Sequence, residues 1–253
     1  MPKASLAAIA RHCDRTLRTA AVRDYDAALN GLQVENRGTV SRIAAAVDAS
    51  LATVQMAIAA RADLLVVHHG LFWTPRQPWT GCNYQFLRLL VENNLAIYSS
   101  HLPLDLHPRL GNNVQLARAL GLRQLRPFFE SKGQRLGVQT AARLPLAELT
   151  RRLQRTVGTP PVVLRGGPAT CRRIGIVTGG AGSEVRQAAA EGVDTFITGE
   201  GPHWTFGLAQ ELKINVLYGG HYATETFGVK ALAAELSRRF ALPWEFLDHP
   251  SGL

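Results

Sequence analysis

Apolar runs of strand length alternate along the chain with stretches whose apolar residues recur at helical spacing. "SRIAAAVDAS" predicts a strand leading into a helix that opens near Asp48 or Ser50, both good capping residues. "LATVQMAIAARA" has helical spacing, "DLLVVHH" reads as a strand, "YQFLRLLVENN" as a helix, "LAIYSSH" as a strand and "GNNVQLARALGL" as a helix. Further on, "RLGVQTA" predicts a strand and "PPVVLRGG" another. Between them "PLAELTRRLQRTVG" predicts a helix, with proline near its start and glycine after its end. The alternation predicts α/β layers with mostly parallel strands. The opening "MPKASLAAIARHCDRTL" reads as an amphipathic helix, not a signal peptide, because Arg11 and His12 break its apolar patch.

The pattern then restarts. "RRIGIVTGGAGSEVRQAAAEGVDTFITGEGPHWT" repeats the order strand, helix, strand. Setting "ADLLVVHHGLFWT" over "VDTFITGEGPHWT" matches Asp63 with Asp194, His69 with Glu200, Gly70 with Gly201, Trp73 with Trp204 and Thr74 with Thr205. Setting "IYSSHLPLD" over "LYGGHYATE" matches Tyr98 with Tyr218, His101 with His221 and Asp105 with Glu225. Two separate stretches match in the same order, which predicts a duplicated chain. The expected halves are residues 1–123 and 124–253, with a C-terminal helix, from about residue 220, returning to complete the site. Residues 124–170 are then inserted between the halves or elaborate the second.

A chain of 253 residues, 46% of them hydrophobic, can bury a large core as one big domain or two ordinary ones. No window is long and apolar enough to span a membrane, so a cytoplasmic location is expected. The three cysteines, Cys13, Cys82 and Cys171, show no CxxC spacing and suit a reducing compartment. The net charge of +9 raises nucleic acid as a partner, but the basic residues are spread along the chain in short pairs such as Arg151-Arg152. Solvated helix faces are the plainer reading of that charge.

Chemistry concentrates at the predicted strand ends, where α/β sheets bind ligands. His68, His69, His101, Asp105, His221 and Glu225 all lie at or just after such an end. "HYATETFGVKALAAEL" reads as a helix, so His221 and Glu225 stand four residues apart and about 40° apart around its axis, on one face. The prolines at 103 and 108 place Asp105 on a loop. Imidazoles and carboxylates without thiolates suit zinc, iron, manganese or cobalt hydrolytic sites. So many donors exceed what one ion needs, and two ions about 3.5–4 Å apart would use them all. Adjacent side chains on a strand point to opposite faces, so His68 and His69 require either a chain leaving the strand or two things to bind. A single structural zinc is the plainer alternative.

These motifs resemble those of the YbgI-like dinuclear metal-centre proteins, the Nif-three-like family often labelled GTP cyclohydrolase I type 2 homologues. The resemblance is carried by "NGLQVEN" from Asn30, "VDAS" from Val47, "HHG" from His68, "HLPLD" from His101, "GNN" from Gly111, "TGG" from Thr178, "TGE" from Thr198 and "GHYATE" ending at Glu225. It covers nearly the whole chain in order. It implies two intertwined, duplicated α/β domains with the metal site in the cleft between them, assembled as a toroidal homohexamer. It implies two divalent ions per subunit held by His68, His69, Asp105, His221 and Glu225, with Glu225 bridging. His101 and Asn30 carry over as near-site residues. Pro202-His203 after "TGE" departs from many relatives, and the large domain some relatives carry between the halves is missing.

The function these readings favour is a metal-dependent hydrolase, with a small-molecule substrate such as a nucleotide or related phosphorylated compound. The ions would activate a water, with Glu225 at the metals and Glu200 or His203 shuttling protons. "TGGAGSE" offers either a phosphate cradle or an ordinary turn. The competing function is a non-catalytic oligomeric scaffold, or a nucleic-acid-binding or regulatory protein, in which the metals are structural or sensory.

Overall fold

The computed structural model describes residues 2–73 and 78–253. Along the chain, β1 (Ala4–Ser5) precedes α1 (Leu6–Leu17), then β2 (Gly31–Val34), β3 (Thr39–Val40) and β4 (Ile43–Asp48). Helix α2 (Leu51–Ala59), β5 (Leu64–His69), α3 (Gly81–Glu92), β6 (Ala96–Ser99) and the single turn α4 (Leu102–Asp105) follow. Then come α5 (Asn112–Ala119), β7 (Arg126–Ser131), β8 (Gln134–Pro145), α6 (Leu146–Val157), β9 (Val162–Arg165) and β10 (Thr170–Ile176). The chain ends with α7 (Val185–Ala190), β11 (Thr195–Thr198), α8 (Thr205–Glu211), β12 (Asn215–Tyr218), α9 (His221–Phe240) and β13 (Trp244–Phe246). The predicted elements are present. Ser50 caps α2 with a reciprocal bond pair to Thr53, and Gly158 ends α6 in the left-handed conformation.

The chain divides into two compact units, residues 1–104 with 228–249, and residues 105–227 with 250–253. Helices α4 and α9 carry the chain from one unit to the other. Residues 105–123, assigned from the sequence to the first half, belong to the second unit. The reason is packing: Leu116 and Ala117 of α5, with Leu120 just after it, pack with Leu149 and Leu153 of α6 and Ile174 of β10.

Unit 1 holds a five-stranded sheet in the order β13-β4-β5-β6-β2, with β13, β4, β5 and β6 parallel and β2 antiparallel at the edge. Leu64 to His68 are all fully buried. Such an unbroken apolar run marks a parallel strand covered on both faces. On one face Ala44, Ala46, Leu65, Val67 and Ile97 pack with Val54 and Ala57 of α2 and Leu90 of α3.

Unit 2 holds a six-stranded sheet in the order β7-β8-β10-β11-β12-β9. Its parallel strands are β10, β11 and β12, and β9 runs antiparallel beside β12. Alternate residues serve opposite faces. Ile197 and Leu217 face α5 and α6, whereas Phe196 and Val216 pack with Val185 of α7 and Leu208 of α8.

The two sheets repeat one plan: three parallel strands joined by two helices, then an antiparallel edge strand beside the third. The sequence echo is therefore a topological one. Its Asp63–Asp194 match has a cause in each unit. Asp63 accepts hydrogen bonds from the Ser41 and Arg42 amides ahead of β4, and Asp194 accepts from the Arg172 and Arg173 amides at the start of β10. Thr74, matched with Thr205, lies outside the described residues. Residues 124–170 elaborate the second sheet, with β7 and β8 on one side and β9 on the other.

Candidate metal centre

In unit 1 the ligand-type side chains gather at the carboxyl ends of the parallel strands. Strand β5 runs through His69, so the chain has not left the strand at the paired histidines. Their rings nevertheless converge, with centroids 4.8 Å apart. The last residue pair between β5 and β6 is Val67 with Ser99, and both rings meet His101 beyond it, at 4.9 and 5.6 Å. His68, His69 and His101 each offer a ring nitrogen within 4.8 Å of the others, which is the spacing of a metal-ligand cluster.

The Nδ1 atom of each ring is held. His68 Nδ1 donates to the Ser100 carbonyl at 2.9 Å, which fixes its proton on Nδ1, because a carbonyl only accepts. His69 Nδ1 donates to Asp48 at 2.8 Å, and His101 Nδ1 to Asp24 at 2.8 Å. Metal-binding histidines are ordinarily oriented in this way, through the nitrogen that does not face the ion. Asp24 accepts further bonds from Asn30 Nδ2 and the Leu102 amide, and Asn30 Oδ1 accepts from the His101 amide. Burial would raise the Asp24 carboxyl, but the His101 ring and Asn30 beside it hold it below its ordinary range.

The "HHG" glycine has a steric reason. A Cβ at Gly70 would lie 2.3 Å from the Gln33 amide. Gln33 Nε2 donates to the Ala28 and Leu29 carbonyls, and its Oε1 accepts from the Leu71 amide. Gln33, on β2, thus ties Ala28 and Leu29 to the turn after β5.

In unit 2 the first turn of α9 carries the second group. His221 Nε2 lies 3.2 Å from Glu225 Oε2, and Nδ1 donates to Glu200 at 2.7 Å. Burial opposes protonation of this ring, but Glu225 and Glu200 raise its pKa to about 9. An imidazole between two carboxylates favours a cation at that point, a proton or a metal. Glu225 is 3% exposed, so its charge is held where water does not reach it readily.

The "TGG" turn closes around this pair. A Cβ at Gly179, whose φ is +73°, would lie 2.1 Å from Glu225 Oε1. The Gly179 carbonyl accepts from the Gly199 and Glu200 amides. The segment after it is a 3-10 turn ahead of the six-residue α7, and Gly179 sets the start of "TGGAGSE" against Glu225. The "GNN" motif also acquires a reason. Asn112 Nδ2 donates to Asp105 at 2.8 Å, and Asn113 Oδ1 accepts from the Thr178 amide at 2.8 Å.

Asp105 is buried and closes the helical turn α4, where a loop was expected. Pro103 is compatible with the first turn of a helix, where an amide has no partner to lose. His203 is exposed, and among the described residues no hydrogen bond joins its side chain to the His221 group. Sequence reasoning missed Asp24, which nothing in "RDYDAALNG" singles out. It also missed Asp48 and Asn112 as orienting groups, although both stand inside quoted motifs.

The duplicated α/β plan and its histidine–carboxylate groups define a class of chain with donors fit to hold a metal. A family model described as "Duf34/NIF3 (NGG1p interacting factor 3)" matches residues 4–250, and the chain belongs to that family. A relative from Deinococcus radiodurans named "GTP cyclohydrolase 1 type 2 homolog" is 44% identical over 232 residues, 90% of this chain and 88% of its own length. A Pseudomonas aeruginosa relative of the same name is 39% identical over 98% of both chains. Among solved structures, TTHA1606 from Thermus thermophilus superposes with a TM-score of 0.91 at 40% identity, covering 99% of this chain and all of that one. The protein ybgI, described as of unknown function, superposes equally well at 35% identity, with the same coverage.

Proposed function

We propose that this chain binds two divalent ions through His68, His69, Asp105, His221 and Glu225, and acts as a metal-dependent hydrolase on a nucleotide or related phosphorylated compound. The carrying observation is that four histidines, His68, His69, His101 and His221, each have Nδ1 committed to an oxygen. Side chains so fixed are prearranged to give their other nitrogen to an ion. The donors are imidazole and carboxylate throughout, which suits zinc, iron, manganese or cobalt. Ions held there would supply Lewis acidity and lower the pKa of a water toward neutrality. Glu200 orients His221 and is the nearer candidate to carry a proton; His203 has no such connection. The names of the relatives favour a purine nucleotide among the substrates to be screened.

Metal analysis of protein reconstituted with each ion tests the binding, with two equivalents per chain expected. A turnover screen of nucleotides and phosphoesters tests the activity. Glu225→Gln should leave a folded protein without turnover, and His221→Ala should lose metal. One equivalent of metal that persists in Asp105→Ala would establish a single structural ion instead. Tight nucleic-acid binding without turnover would favour the scaffold.

A further inference from the structure

Unit 1 has a surface cleft of about 900 Å³ beside the histidine cluster, lined by Asp14, Arg15, Asp24, Tyr25, Asp26 and Leu29 among others. Tyr25 joins the cleft to the histidines. Its ring lies 6.0 Å from that of His101 and 6.1 Å from that of Trp73. Trp73 in turn stands edge-on to His101 at 4.8 Å and to His69 at 5.7 Å. The Tyr25 side is open: the residue is 52% exposed.

Leu29 is held open beside it. It is 55% exposed, and its φ of 37° puts a bulky residue in the left-handed region. The Gln33 amide, bonded to the Ala28 and Leu29 carbonyls, fixes that conformation and ties it to the turn that leads to Trp73. A strained, exposed leucine tied through Gln33 to the turn after β5, next to an exposed tyrosine in ring contact with His101, makes a recess prepared for an apolar face.

We propose that Tyr25, backed by Trp73 and flanked by Leu29, is the stacking platform for a planar heteroaromatic ring of the substrate. This rests on the hydrolase reading above for its link to turnover, but the binding can be measured alone. Asp24 and Asp14 already accept hydrogen bonds from the protein, and Asp26 stands in the lining against Arg15, so the cleft suits an uncharged ring or one bearing amino donors better than a phosphate group. Nothing in the metal chemistry requires Tyr25 or Trp73, so they are specificity residues.

The test is calorimetric titration of the metal-loaded protein with adenosine, guanosine and cytidine, with ribose 5-phosphate as the ring-free control. Adenosine, guanosine or cytidine should bind. Tyr25→Ala should weaken that binding about tenfold, the ordinary worth of one base stacked on an aromatic side chain. Tyr25→Phe and Trp73→Phe, which keep the rings, should stay within about twofold of wild type on the same grounds. Metal content is measured on every variant. Full metal loading with no nucleoside binding, or binding indifferent to Tyr25→Ala, overturns the platform and leaves the hydrolase reading standing. Tyr25-dependent binding in a protein that takes up no metal supports the platform and removes the hydrolase reading.

Discussion

Asp24 accepts four hydrogen bonds, from the Tyr25 and Leu102 amides, Asn30 Nδ2 and His101 Nδ1. Replacing it by asparagine turns one oxygen into an NH₂ group that faces donors. Asp24→Asn should therefore lower unfolding stability by about 1–3 kcal/mol, read by urea denaturation, and should loosen His101. Undiminished stability would mean that the network is slack. The imidazoles themselves were legible, because strand ends are read from apolar runs and the histidines sit on them. Their orienting partners were not, since Asp24 stands 77 residues from His101 and Glu200 21 from His221. No local periodicity reports such pairings. Gly70 and Gly179 were visible as motif letters, but what they make room for was not.

At the level of elements, the β7–β8 hairpin is held by a helix end. Glu191, just after α7, accepts from the Phe129 and Glu130 amides and pairs with Arg135 at 2.8 Å. Phe129 has a φ of 65°, a conformation a phenylalanine keeps only when held. Partial burial would raise the Glu191 carboxyl, but the two amides, Gln187 and Arg135 bring it below its ordinary 4.5. A carboxylate lowered in the folded state stabilises it above the ordinary value, and that contribution fades as pH falls through the lowered one. Glu191→Gln should thus unfold more easily near neutral pH, and the difference from wild type should shrink in acid. Thermal melts across pH check this, and a difference that does not shrink with acid would contradict it. The parallel strands β4, β5, β6, β10 and β11 and the long helices were readable from spacing, whereas the edge strands β2, β7 and β13 were not. The single turn α4 was not, because two prolines argue for a loop unless one knows that Pro103 falls in its first turn.

At the scale of the molecule, duplication was legible and the division into units was not. The α5 stripe could serve either sheet, and only the packing of Leu116 and Leu120 with Leu149 and Leu153 decides. Assembly is a further proposal: light scattering should find six copies of the 27.5 kDa chain, and a monomer would remove the ring-shaped assembly. Among the described residues no helix is long and apolar enough to cross a membrane.

The two copies of the three-strand plan carry different donors. One copy kept three imidazoles at its strand ends; the other holds one imidazole between two carboxylates. Imidazole-rich and carboxylate-rich surroundings rank metals differently. Two ions bound as proposed would then be unequal tenants, and uptake should proceed in two separable steps, resolved by titration with zinc and with manganese. The imidazole-rich copy should hold zinc longest against a chelator, and a single step for both metals would show that the copies never specialised.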